Sequence, residues 1–178
     1  MIQGCPMKLI ITTLSMIFIS FGANAYSDWK SSQSKDEMTG KETFYIFTSW
    51  ASSKYPMSFP YSKTKSVIGV ACNKDSIWSY FMFTTQPNIT KSETKDGYNK
   101  ILTRIKFDDT LENVTLTQDW GSKALFLYNE KAFIKSLQNT SEVLLELKWH
   151  GNNSVYFKYF TEGASEEIEG LKAKCKIK

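Results

Sequence analysis

The sequence predicts a mainly β chain: a single antiparallel β-sandwich domain with one short internal helix and a C-terminal helix, behind a signal peptide that is cleaved. Three observations carry this expectation. Apolar and polar residues alternate at period two over most of the chain, the pattern of strands with one face in a core. The stretch SVIGVACNKDSIWSYFMF, residues 66–83, reads as a hairpin of two buried strands rich in β-branched and aromatic residues, reversed at Asn73, Lys74 and Asp75. The period lengthens to that of a helix at residues 129–138 and again at 164–175.

Taken in order, residues 1–25 hold Lys8, an apolar run from Leu9 to Phe21, and the small residues Ala23 and Ala25. This is the pattern of a secretory signal peptide, and the run of about a dozen residues falls short of the roughly 20 needed to span a bilayer. Residues 26–41 read as an extended lead-in whose Trp29 docks on the fold, with a turn at DEMTG. In residues 42–50, Phe44, Ile46, Thr48 and Trp50 alternate with Tyr45, Phe47 and Ser49, a strand. Residues 51–65 form a loop, since Pro56 and Pro60 exclude a central strand.

After the Cys72 hairpin, residues 84–98 read as an exposed polar loop and residues 99–107 as a strand with Ile101, Thr103, Ile105 and Phe107 on one face. Val114, Leu116 and Trp120 mark a further short strand, and residues 124–128 another. In the internal helix Phe133, Ile134 and Leu137 share a face, and Asn129 can cap it. Val143, Leu145, Leu147 and Trp149, then Val155, Phe157 and Tyr159, form the two inward faces of a hairpin turning at residues 150–153. The last helix aligns Ala164, Ile168, Leu171 and Cys175. Seven or eight strands result, in one domain spanning residues 26–178.

The chain's 42% hydrophobic and 15% aromatic content suffices for a core. Its formal charge is +4, which falls to +3 once Lys8 leaves with the signal peptide, and the lysines are spread along the chain. That is too mild and too diffuse for a nucleic-acid partner. Cleavage also removes Cys5, leaving Cys72 and Cys175. An even pair in an exported protein is most simply a disulfide, here closing a loop of about a hundred residues. The helical phase of the tail turns Cys175 inward, toward the strand that ends in Cys72.

Residue chemistry argues against catalysis. His150 is the one histidine and sits at a predicted turn, so a nucleophile–histidine set would have to be built on a turn tip. Two cysteines bonded to each other and one histidine cannot make a zinc site. Asp108 and Asp109 read as a strand-ending turn, because sequence neighbours on a strand point to opposite faces. No catalytic residue, metal ligand or cofactor site is expected. The aromatics gathered around the proline-containing loop, Trp50, Tyr55, Phe59 and Tyr61, are the candidate partner or ligand surface.

The order of features resembles a known family. The stretches VIGVACNKDSIWSYFMF, TRIKFDD, QDWGSKALFLYNEKAFIKSLQ and VLLELKWHGNNSVYFKYFTEGASEEIEGLKAKC together resemble the TagO or VasI family of periplasmic proteins associated with type VI secretion. The resemblance implies an exported β-rich domain carrying a Cys72–Cys175 bond, an accessory role in a secretion apparatus, and no catalytic residues. The expected function is therefore a non-enzymatic periplasmic accessory or binding protein, whose partner is another protein of the cell envelope, with contact to glycan or peptidoglycan as a further option. It would have no membrane span once mature. The alternative is a small secreted inhibitor or immunity protein acting against a cell-wall enzyme.

Overall fold

The computed structural model describes residues 28–95 and 97–177. The expected signal peptide, residues 1–25, and Cys5 with it lie outside the described residues. Among those described, no helix is long and apolar enough to cross a membrane.

The chain folds as a mainly β structure in which every paired strand belongs to a single antiparallel sheet of eleven. Strands β1 (Lys30–Lys35), β2 (Glu42–Phe47), β3 (Ala51–Ser52), β4 (Lys65–Cys72) and β5 (Ile77–Phe83) come first. They are followed by β6 (Ser92–Lys95), β7 (Tyr98–Phe107), β8 (Thr110–Asp119) and β9 (Ala124–Leu127). Helix α1 (Glu130–Leu137), the hairpin β10 (Glu142–Lys148) and β11 (Ser154–Phe160), and helix α2 (Ala164–Cys175) complete it. The hydrogen-bonded order is β1-β2-β4-β5-β9-β8-β7-β10-β11, with β3 on β4 and β6 on β7.

The organising hairpin forms as its sequence dictates. Asn73 Oδ1 accepts hydrogen bonds from the backbone N–H groups of Asp75 (2.8 Å) and Ser76 (2.9 Å), the side-chain-stabilised turn that asparagine favours. Strand β4 is buried along both faces from Ser66 to Cys72. Its inward side chains, Ile68, Val70 and Cys72, enter the main core. On the other face Gly69 lies directly opposite Tyr80, whose ring covers it: a Cβ at Gly69 would stand 2.2 Å from Tyr80 Cζ. Gly69→Ala is therefore expected to destabilise by about 1–3 kcal/mol through overpacking. In a urea-denaturation cycle with Tyr80→Ala, the double variant should lose less than the sum of the two single losses, because both changes act on one contact.

The sheet curls until its far strand returns to its middle. Ala51 and Ser52 pair with Ser66 and Lys65 of β4, Ser53 then bridges to Phe157 of β11, and the Lys54 N–H donates to the Tyr156 carbonyl. Side chains follow the same closure: Phe81 and Phe83 of β5 meet Tyr159 and Phe157 of β11 with ring centroids 5.6 and 5.4 Å apart. The Tyr159 hydroxyl, fully buried, shares a 2.8 Å hydrogen bond with Ser66 Oγ. Both helices lay their apolar faces on this core. Helix α1 inserts Phe133 against Phe81 and Phe107, and α2 packs on β2 and β4 through Ala164, Ile168, Leu171 and Cys175.

Cys72 and Cys175 are bonded, with Cα atoms 6.1 Å apart and a separation of 103 positions in sequence. The inward faces expected for α1, α2 and the β10–β11 hairpin are those observed, and Asn129 caps α1 by accepting from the Ala132 N–H.

Several expectations need correction. The lead-in is strand β1, because its turn is fixed by Asp36, whose Oδ1 accepts from the Met38 and Thr39 N–H groups and so folds residues 30–35 back on β2. Residues 84–98 are not all loop: β6 pairs with β7, and Ile89 bridges to Trp149. Residues 110–119 form one ten-residue strand instead of a short one; its inward phase carries the polar Glu112 and Gln118 and its outward phase the exposed Leu111, which together hide its period. Strand β2 ends three residues early, at Phe47, and Trp50 lies beyond it. The resulting ladder is one continuous antiparallel sheet.

Candidate interaction surface

Strand β11 points Val155, Phe157 and Tyr159 into the core, which forces Tyr156, Lys158 and Phe160 to the outside. An outward face with two aromatics in three positions is unusual for a strand facing water. The neighbouring loop adds to it. Tyr55, 58% exposed, stands edge-on to Tyr156 with centroids 6.4 Å apart, and Lys54 Nζ lies 5.6 Å from the Tyr55 ring. At the other end Trp50, 47% exposed, shares a small cleft with Lys158 and Phe160, the latter 61% exposed. Lys158 reaches over the Phe160 ring at 5.3 Å while bonding Glu142 Oε2 at 2.5 Å. A row of Tyr55, Tyr156, Lys158, Phe160 and Trp50 results.

The loop that presents Tyr55 is anchored at both sides. The Lys54 N–H is bonded to β11, and the Ser58 N–H donates to Asn152 Oδ1 at 2.8 Å. Between these ties Tyr55, Pro56 and Ser58 face residues 151–155 across an open cleft of about 510 Å3.

Of the four residues singled out from sequence, the structure brings Trp50 and Tyr55 to this row. Phe59 is 92% exposed but makes no ring contact with the others. Tyr61, half-buried, stands apart from this row: its ring packs edge-on against the fully buried Trp149 at 5.4 Å, and it lines a separate surface cleft. Sequence reasoning missed Tyr156 and Phe160. The signal was present, since the outward phase of YFKYF carries aromatics where a solvated face would carry polar residues.

Beneath Tyr156 lies a charged cluster. Glu146 is on the outward face of β10 yet nearly buried, with Oε2 receiving Arg104 Nε at 2.5 Å, and Oε1 in contact with the Tyr156 hydroxyl at 3.2 Å and Lys148 Nζ at 3.5 Å. Lys148 in turn bonds Ser154 Oγ. The Arg104 hydrogen bond, opposed by burial, holds the Glu146 carboxyl down to about 2. Folding thus favours the carboxylate, and the stabilisation is fully present above the ordinary glutamate value of 4.5 and is lost as pH falls toward 2. Because Arg104 is half exposed, water screens the pair, and its contribution is about 1–2 kcal/mol. Urea unfolding between pH 6 and pH 3 checks this: the loss of stability on acidification should be smaller by about that amount in Glu146→Gln.

Asp108 has a structural task. At the β7–β8 turn it takes a φ of 45°, and its Oδ1 accepts from the Ser141 (3.1 Å) and Glu142 (2.9 Å) N–H groups. With a Thr140 side-chain hydrogen bond as the largest cause, these contacts hold its pKa below the usual carboxylate value. Asp109 faces solvent and pairs with Lys106. His150 occupies the β10–β11 turn, its N–H bonded to the Asn88 carbonyl. Among the described residues no three His, Cys, Asp or Glu side chains converge as a metal site would require.

Comparison with family models, curated proteins and solved structures finds no match for the chain.

Proposed function

We propose that this chain is an exported, non-enzymatic binding protein, cleaved after Ala25, that works in the periplasm through contact with another protein of the cell envelope as an accessory of type VI secretion. The observation that carries the reading is the Tyr55–Tyr156–Phe160–Trp50 row, aromatic side chains left in water on an anchored strand and loop. Tyrosine, tryptophan and phenylalanine are the residues that protein interfaces enrich, and a backbone fixed before binding loses little entropy on association. Lys54 and Lys158 supply a charged rim. Export is supported by the buried disulfide, a bond that persists in oxidising compartments. The type VI assignment rests on the ordered resemblance to the TagO or VasI family. We take the curled sheet as a β-sandwich whose β5 and β11 flanks face each other across the core, which gives the row a rigid base.

The test is deletion in the native host followed by complementation. Loss of the gene should reduce firing of the type VI apparatus, and the double variant Tyr55→Ser/Phe160→Ser, at the two most exposed rings of the row, should fail to restore it. Its melting temperature should stay within about 4 °C of the parent, since side chains outside the core contribute little to stability. A deletion strain that fires normally overturns the accessory role. Full complementation by the double variant overturns the surface.

A further inference from the structure

A second site lies at the end of the sheet where β7 begins and β8 ends. Inward positions on these strands carry Ile105, Ile101 and Leu116 in the core, and the next pair outward along the sheet is Asn99 opposite Gln118. Two amides thus replace aliphatic residues where the core stops. With Trp120 and Asp119 they line a cleft of about 590 Å3, within the usual range for small-ligand sites of roughly 300–1,000 Å3.

The cleft is built firmly. Gln118 Nε2 donates to the carbonyls of Pro87 and Ser122, each at 3.0 Å, tying the two walls together from below. One wall, residues 85–89, is also held to the β10 end by the Thr90 N–H on the Lys148 carbonyl and the His150 N–H on the Asn88 carbonyl. The Thr94 Oγ1 hydroxyl donates to Asn99 Oδ1 at 3.0 Å and fixes the Asn99 amide. Trp120 stands at the rim, 71% exposed, although its sequence phase points to the core side.

The lining chemistry selects a ligand class. Among the described residues that line the cleft there is no lysine or arginine, and the one carboxylate is Asp119. An anionic ligand would meet no cation and would be repelled. An apolar ligand would strip water from amides and hydroxyls without replacing those hydrogen bonds. A sugar satisfies both constraints: its C–H face can cover an indole while its hydroxyls exchange hydrogen bonds with amide and carboxylate groups.

We propose that this cleft binds a neutral oligosaccharide, with Trp120 as the stacking platform and Asn99 and Asp119 as hydrogen-bonding groups. The site is separate from the β11 row, and its occupation does not depend on the accessory role.

The experiment titrates the folded, disulfide-bonded protein with chitotriose, cellotriose and maltotriose, read by tryptophan fluorescence and by amide chemical shifts. At least one should bind saturably with a dissociation constant of about 0.1–5 mM. Trp120→Ala should weaken that binding at least tenfold with an unchanged melting temperature, and Asp119→Ala should weaken it roughly fivefold. An acidic trisaccharide such as trigalacturonate should bind at least tenfold more weakly than the best neutral one. No saturable response to any neutral sugar up to about 20 mM overturns the proposal, as does undiminished binding by Trp120→Ala. Equal affinity for the acidic sugar overturns the assigned class.

Discussion

Cys175→Ala is expected to destabilise the protein by about 2–5 kcal/mol and to lower its melting temperature by roughly 5–15 °C. The bond closes a span of 103 residues, and loop-closure entropy for a span of that size is worth up to about 5 kcal/mol in the chain-entropy account. Both sulfurs are buried, and the bond fastens the last turn of α2 to the inner end of β4. Alanine, unlike serine, places no hydroxyl in that apolar site. Cys72→Ala should cost a similar amount, and the double variant little more than either single one, because each removes the same bond. Hydrogen exchange should localise the first loss of protection to α2, which otherwise rests on β2 and β4 through a short apolar face.

Phe81→Ala should be at least as damaging, at about 3–5 kcal/mol. Phe81 is fully buried and joins parts of the chain that meet nowhere else in the ladder: its ring lies 5.7 Å from Phe133 of α1 and 5.6 Å from Tyr159 of β11. Truncation leaves a cavity between a strand, a helix and the returning end of the sheet, and three differently directed elements cannot all collapse into it. Phe81→Leu keeps most of the volume and should cost less than half as much. Equilibrium urea unfolding of the two variants at neutral pH measures both. A loss below about 1 kcal/mol for Phe81→Ala would mean that its contacts with Phe133 and Tyr159 do not hold α1 and β11 on β5.

What could be read from sequence follows from where side-chain pattern and backbone pairing coincide. The hairpin of β10 and β11 was legible because Val143, Leu145, Leu147, Val155, Phe157 and Tyr159 all point one way and polar residues mostly point the other. Helix α2 was legible to its last residue, since Ala164, Ile168, Leu171 and Cys175 define one face and the acidic-to-basic gradient agrees with the helix dipole. Strands β1 and β6 left no such trace. Residues Lys30–Lys35 are exposed on both faces, so no apolar period marks them, and only the Asp36 turn and the β2 ladder make them a strand. Strand β3, two residues long, is extended by closure of the sheet and not by its own composition.

The candidate surface was half legible for the same reason. Trp50 and Tyr55 stood out as aromatics in a proline-containing loop. Tyr156 and Phe160 were hidden in a strand whose inward face explained it well enough. That Tyr61 packs on Trp149, away from the row, could not be read from composition, which does not place one aromatic relative to another. The Asn99–Gln118 pair needed register, which only the β7–β8 ladder supplies.

The proposed export of the chain and the Cys72–Cys175 bond that locks α2 to the β4–β5 hairpin are tested together. The most direct measurement is peptide mass mapping, without reduction, of the protein recovered from the envelope of its host. The account predicts a mature N-terminus at Tyr26 and a single cross-linked species joining the peptides that carry Cys72 and Cys175, with neither cysteine open to alkylation. A chain that retains residues 1–25, or one in which both thiols alkylate freely, would contradict it.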